Sequence, residues 1–422
     1  MPFELQAYTS KIMLVVWGML LIFAVKVGGG RQTGGCSLKL WEQDWTREPL
    51  MLKRNNDNGS SLLAPLIPFK VGRGKAQINL NLNDSVILAC PGSLLSVLDT
   101  QEAEIICEPG NRFSLSTGGK RRRNVEVSSL GCSGNPRDTE LVRGEKCGPE
   151  GSAMRVDIGF SLKSAFLPLL KICHSSDTED THWVQHTIQR ASLGVMNHKR
   201  ATDFKEGSVF FGNISADQTY NSRRQKKHLS HQFGVSRARK LFSAAAFDRG
   251  HLAPNGDFAF RDWQEATFFY ANVVPQWRQV NRGNWKQVEE VVRKKAGMGD
   301  VEVVTGTLGI LKLDRREVWL GNHAMNRRKK MIPVPKVLWK VVTDIQSGSS
   351  IVLITLNNPL YKRITRRQVF CTDICEETGW DVQLTRRKIK ERGYTFCCDL
   401  QDFKQQVPWL PDIKDGGVLH FA

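Results

Sequence analysis

The 422-residue sequence contains no internal repeat, no heptad pattern and no low-complexity tract, which excludes solenoids, coiled coils and fibrous chains. No two cysteines stand at the Cys-x-x-Cys spacing of common zinc sites. Acid is scarce, because 42 Asp and Glu residues face 60 Lys and Arg and leave a formal charge of +18. A field of that sign favours an anionic partner, whether nucleic acid, a polyanionic matrix or a membrane surface. Long apolar runs are missing too. The longest, "IMLVVWGMLLIFAV" at residues 12–25, falls short of the about 20 residues that a membrane-spanning helix requires. Between Lys11 and Lys26 it reads as the core of a signal peptide covering residues 1–29, with an uncleaved signal anchor as the alternative because small residues are poorly placed for cleavage. Secretion is the expected destination, and no stable membrane partner is expected. Oligomeric state is not legible.

What is present describes a folded chain. Apolar residues make up 41% and charged residues 24%, close to globular averages, and the length suits two lobes. The ten cysteines are even in number and widely spread, the usage of an oxidising compartment. Six lie in the first part (Cys36, Cys90, Cys107, Cys132, Cys147, Cys173) and four near the end (Cys371, Cys375, Cys397, Cys398). A bond between the neighbours Cys397 and Cys398 would be strained, so each is expected to reach back to Cys371 or Cys375. Sequons at Asn58, Asn83 and Asn213 agree with secretion.

Residues 30–173 are turn-rich and alternate apolar with polar positions, as in "KAQINLNLNDSVILAC", and predict a cystine-stapled β-rich lobe. No catalytic signature stands out in it. Across residues 174–422 helical patterns interleave with strand candidates at 301–306, 336–344 and 350–356, which predicts a mixed α+β lobe. The strongest helix begins near Asn281, in "NRGNWKQVEEVVRKKAG". There Trp285, Val288 and Val292 recur on one face, and Glu289 and Arg293 stand at i, i+4.

The stretch "AAFDRGHLAPNGDFAF" places Asp248, Arg249, Gly250 and His251 together. Taken alone it is a surface turn that carries a histidine. A neutral imidazole, with an ordinary pKa of about 6.5, can nevertheless accept a proton from water near neutrality. The downstream "YANVVPQWRQVNRGNWKQVEEVVR" adds Asn272, Pro275, Gln276, Asn281, Trp285, Glu289 and Arg293 at a helix start. Together these residues resemble the DNA/RNA non-specific endonuclease family, the ββα-metal or His-Me finger nucleases. The likeness runs over about residues 187–411 and takes in "VVTGTLG", "IPVPKVLWKVV" and "NNP". The cystine layout ahead of it resembles long secreted arthropod nucleases that degrade double-stranded RNA.

The resemblance implies a magnesium-dependent endonuclease acting on DNA and RNA, with manganese as a substitute ion. His251 would be the general base and Asn281 the one direct protein ligand of the ion. Arg249 and Arg293 would contact phosphate, Glu289 would hold the ion's hydration shell and pair with Arg293, and Asp248 and Asn272 would brace the site. A magnesium ion keeps several waters and tolerates a single neutral oxygen ligand, which agrees with an asparagine. The family's further upstream arginine has two candidates, Arg223 and Arg224. The alternative reading is a nucleic-acid-binding protein on the same fold that has lost turnover.

Overall fold

A computed structural model describes residues 35–421, apart from residues 44, 58–59, 73–74, 164, 194–202, 210–213, 243–246 and 323–328. The expected signal peptide and the sequons at Asn58 and Asn213 lie outside the described residues. Asn83 is exposed, in a left-handed turn at φ 70°. That turn divides what reads as one alternating run into two strands of different sheets. Lys75–Leu80 is the middle strand of a three-stranded sheet, and Ser85–Ala89 lies inside a six-stranded one. The Asp84 side chain accepts from the Asn81 amide at 2.8 Å and closes the turn. Disulfide Cys36–Cys107 ties the two sheets together.

The second part is built on an eight-stranded antiparallel sheet, in the spatial order Asp138–Cys147, Ala153–Ser161, Phe166–Ser175, Asp180–Ile188, Val301–Ile310, Pro335–Asp344, Ser350–Leu356 and Thr395–Cys398. The expected lobe boundary at 173/174 therefore falls in mid-strand. The sheets put the division between Lys120–Arg122, the last strand of the six-stranded sheet, and Asp138. Both sides of that division are antiparallel strands joined by turns, so the local texture of the sequence does not change there.

The central strands are covered on both faces. Ser350–Leu356 is buried at every position. Alternate residues Leu338, Val342, Ile351 and Leu353 pack with Trp285 and Val288, whereas Trp339, Val341, Val352 and Ile354 pack with Phe403 of the C-terminal helix Leu400–Gln406. The helix Lys286–Ala296 turns the expected face inward, since Trp285 and Val288 are fully buried and Val292 is 1% exposed. Each such side chain contributes about 1.5–3 kcal/mol of burial.

Against this sheet lies a two-stranded ribbon, Phe247–His251 paired with Val273–Trp277, followed by a wide π-type turn, Asn281–Trp285, that leads into the helix. Strand, strand and helix form the expected ββα unit within an α+β fold. The four C-terminal cysteines pair as Cys371–Cys398 and Cys375–Cys397, the reach-back expected of the vicinal pair. The described cysteines are all in disulfides, so the group Asp373, Cys375 and Cys397 offers no thiolate to a metal.

Candidate active site

The ribbon is held by buried amides. Gly250 faces Val274, and a Cβ there would stand 2.1 Å from Cδ of the buried Gln276, so only glycine lets the two strands close. Nε2 of Gln276 donates to the His251 carbonyl at 3.4 Å. Asn272 closes the chain just beyond the histidine: it accepts from the Ala253 amide at 2.9 Å and donates to the carbonyls of Ala253 and Thr267 at 2.9 and 2.8 Å. Asn357, from "NNP", fastens the ribbon to the sheet by accepting from Trp277 N and donating to the Pro275 and Pro335 carbonyls. Gln225 exchanges two hydrogen bonds with the Phe247 backbone and so anchors the helix Ser222–Phe233 to the ribbon. Arg223 and Arg224 stand exposed on the first turn of that helix, whose N-terminus Asn221 caps.

His251 and Arg249 share a wall. The imidazole lies 5.4 Å from Phe204 and edge-on to Phe268 at 4.9 Å, while the guanidinium sits over Phe204 at 5.4 Å and over Tyr220 and Tyr270 at 5.8 Å. Arg249 also donates to the Tyr270 hydroxyl and to the Asp217 carboxylate, both at 2.7 Å. Asp217 is 69% exposed, so a phosphate reaching Arg249 exchanges with a well-solvated partner.

Asp248 connects the ribbon to the helix start. Its carboxylate accepts from Nδ2 of Asn281 at 3.3 Å and from Nε of Arg278 and of Arg282 at 3.0 Å. With its nitrogen turned to Asp248, Asn281 keeps its carboxamide oxygen free of hydrogen bonds among the described residues. A neutral oxygen held in this way fits a hard divalent cation. Gly283, two residues on, leaves helical geometry at φ −102° and ψ −120° and opens the wide turn. Such π-type turns concentrate at functional sites.

Behind the helix lies a group of charges that sequence reasoning missed. Arg293 donates to Asp257 at 2.8 Å, and the other oxygen of Asp257 meets Nε2 of His186 at 2.9 Å. The hydrogen-bonded partner of Arg293 is thus Asp257, where Glu289 was expected. Glu289 remains its electrostatic neighbour one turn away. Lys340 is 1% exposed; it donates to the Leu252 carbonyl at 3.3 Å and to Thr305, and it sits 5.4 Å from the Trp285 ring. Burial pushes the Glu289 carboxyl up to about 7, against the pull of Lys340 and Arg293. Burial likewise pushes the Lys340 ammonium down to about 8, against Asp257 and Glu289. Burial also acts to raise Asp257, but His186 and Arg293 outweigh it and hold that carboxylate below its usual range. Burial shifts His186 down, against the pull of Asp257, to which its Nε2 is hydrogen-bonded. A signal for Lys340 exists in the sequence, since it is the single charge in "VLWKVV", on the side of the strand that faces the helix.

Comparison with known proteins agrees with this geometry. The family model described as DNA/RNA non-specific endonuclease matches residues 150–403. A salivary endonuclease of Lutzomyia longipalpis is 29% identical over 367 residues, 85% of this chain and 79% of that protein, so the likeness extends into the lobe ahead of residue 150. A salivary endonuclease of Culex quinquefasciatus is 26% identical over 304 residues, 69% of this chain and 75% of its own. A nuclease of Serratia marcescens is 29% identical over 104 residues, 24% of this chain and 35% of its own.

Proposed function

The chain belongs to the DNA/RNA non-specific endonuclease family, and from that premise we propose that it is a secreted, sequence-non-specific endonuclease that hydrolyses DNA and RNA, double-stranded RNA included. The ion is magnesium, or manganese in its place, at Asn281. The observation that carries this reading is the Asn281–Asp248 hydrogen bond, which fixes an asparagine against the strand that bears His251.

His251 takes a proton from the attacking water, the water oxygen bonds to phosphorus, the bond from phosphorus to the 3′ oxygen breaks, and a second water protonates that leaving oxygen. When bound, the cation supplies positive charge to the phosphoryl and leaving oxygens. Arg293, held by Asp257, and Arg249, packed among three rings and freed for phosphate once it exchanges Asp217, present positive charge to the phosphate as charge develops. Glu289 stands one helical turn from Arg293 and would order water around a bound ion. None of these groups requires a 2′ hydroxyl, which supports action on both sugars. Five disulfides and the salivary relatives support secretion.

The test incubates the purified protein with plasmid DNA and with double-stranded RNA, in magnesium or in chelator, beside His251→Ala. Magnesium-dependent cleavage is expected, with a loss of about 100- to 10,000-fold in the variant. Intact substrate with a gel shift in every lane would leave a binding protein instead. Cleavage that survives His251→Ala would remove that residue from its role as base.

A further inference from the structure

The segment between the C-terminal disulfides, residues 380–395, plays no part in the chemistry above, yet it is packed onto the turn that carries Asn281. Nδ2 of the buried Asn284 donates to the Arg386 carbonyl at 2.9 Å and the Gly393 carbonyl at 2.6 Å, and lies 3.4 Å from those of Arg387 and Ile389. A Cβ on Gly283 would meet the Arg392 carbonyl oxygen at 2.7 Å, so a glycine there lets the segment come this close. The seam continues along the outer face of the helix, where Gln287 bonds Gln383 and Thr385, and Lys294 bonds Gln383. Disulfides Cys371–Cys398 and Cys375–Cys397 close the base of this loop.

What the seam holds in place is cationic. Residues 386–392, "RRKIKER", carry five basic side chains against the single acid Glu391. Three of the five are matched: Arg387 is buried and bonds Asp373 and Glu376, Lys388 shares Glu376, and Lys390 takes Glu391. Arg386 is exposed and Arg392 half-buried, and neither has an acidic partner among the described residues. Nε of Arg392 is buried without an acceptor, although its residue lies against Gly283, two positions from Asn281. With Nε closed to solvent, the rest of the half-buried Arg392 guanidinium, which has no acceptor among the described residues, is the part that suits a phosphate.

We propose that Arg392 and Arg386 form a second phosphate-contact strip for the backbone of a nucleic acid that runs past the scissile phosphate. This rests on reading the chain as a nuclease centred on His251 and Asn281. Each strand of a duplex carries one phosphate per about 3.4 Å of helix axis, so a polymer that places one phosphate at Asn281 carries its neighbours along the adjoining turn. The contact is to the backbone and independent of sequence. A mononucleotide or a small diester is too short to span both places.

The experiment compares the wild type with Arg386→Ala/Arg392→Ala and with Arg392→Lys, all with disulfides intact and thermal midpoints measured. In a His251→Ala background, affinity for a 30-base-pair duplex is read by fluorescence anisotropy between about 50 and 300 mM salt. The double substitution is expected to weaken binding about tenfold at the lower salt and to reduce the slope of log affinity against log salt by about 1.8, with Arg392→Lys keeping most of the slope. In the active background, the ratio of kcat/KM on plasmid to kcat/KM on bis(4-nitrophenyl) phosphate is expected to fall about tenfold. An unchanged salt slope, or equal losses on plasmid and small diester, would overturn the strip. A wild type that cleaves neither substrate would count against the nuclease reading, and the salt slope would still decide the strip by itself.

Discussion

Replacing Glu289 with Gln should stabilise the protein above neutral pH while it lowers activity. The carboxyl is raised from 4.5 to about 7, with burial as the main cause. An acid whose folded value lies above its unfolded one holds its proton more tightly in the native state. Its effect on stability is therefore absent below about pH 4.5 and grows unfavourable as pH rises toward 7. At 1.36 kcal/mol per pH unit, the full displacement corresponds to about 3 kcal/mol. Glu289 is half-buried and shares its field with Lys340, so about 1–2 kcal/mol is the expected remainder. In a chain of this size that is a gain of about 1–4 °C in thermal midpoint. The measurement is a melting series from pH 5 to pH 8.5 in chelator, because a bound cation would itself favour the carboxylate. Glu289→Gln should match the wild type at pH 5 and exceed it at pH 8, and nuclease activity in magnesium should fall about 10- to 100-fold. An advantage of the same size at both pH values, or a variant less stable at pH 8, would refute the reasoning. The outcome also bears on why the charge is kept, since stability given up at a reactive site is the usual cost of its function.

Asp257→Ala should strand Arg293 and His186 together, and chemical denaturation is expected to show a loss of about 3–5 kcal/mol with activity falling in parallel. Asp257→Asn keeps one acceptor and should lose less. Gly250→Ala forces a Cβ into Gln276, so the ribbon must part; a cost of about 1–3 kcal/mol and a fall in kcat larger than the change in duplex affinity are expected. Lys340→Met removes a positive charge that holds the Glu289 carboxyl down, so the acid limb of the pH–rate profile should move to higher pH, whereas Lys340→Arg should leave that limb in place.

The ββα unit was legible because its chemistry is local in sequence. Asp248, Arg249, Gly250 and His251 occupy one strand, the asparagine lies just past the partner strand, and Glu289 and Arg293 follow within one helix, so the motif that carries the family resemblance is short and contiguous enough to be matched. The neighbours that hold those groups were not legible, because the sequence separations are long. Asp257 reaches Arg293 across 36 positions, His186 reaches Asp257 across 71, and Lys340 reaches the Leu252 carbonyl across 88. Asp257 lies in "NGD", which reads as turn chemistry, and only the fold turns its buried carboxylate toward the half-buried Arg293 guanidinium. The lobe boundary was hidden for a different reason, since antiparallel strands run on both sides of it.

The placement of charge around the site follows one physical pattern. Ion pairs on the outer side of the site keep one solvated member: Asp217 beside Arg249 is exposed, and Arg278 and Arg282 beside Asp248 are 43% and 66% exposed. Such pairs contribute little to stability and exchange readily with phosphate. The groups behind the helix are the opposite case, with Asp257 3% and Lys340 1% exposed. Removing one member of a buried pair leaves its partner unmatched in a low dielectric, so this layer resists substitution even where no atom of it touches nucleic acid. Loss of turnover in Asp257 or Lys340 variants with duplex affinity retained would accordingly mark them as positioning residues. The same substitutions at Arg249 should lower affinity and turnover together.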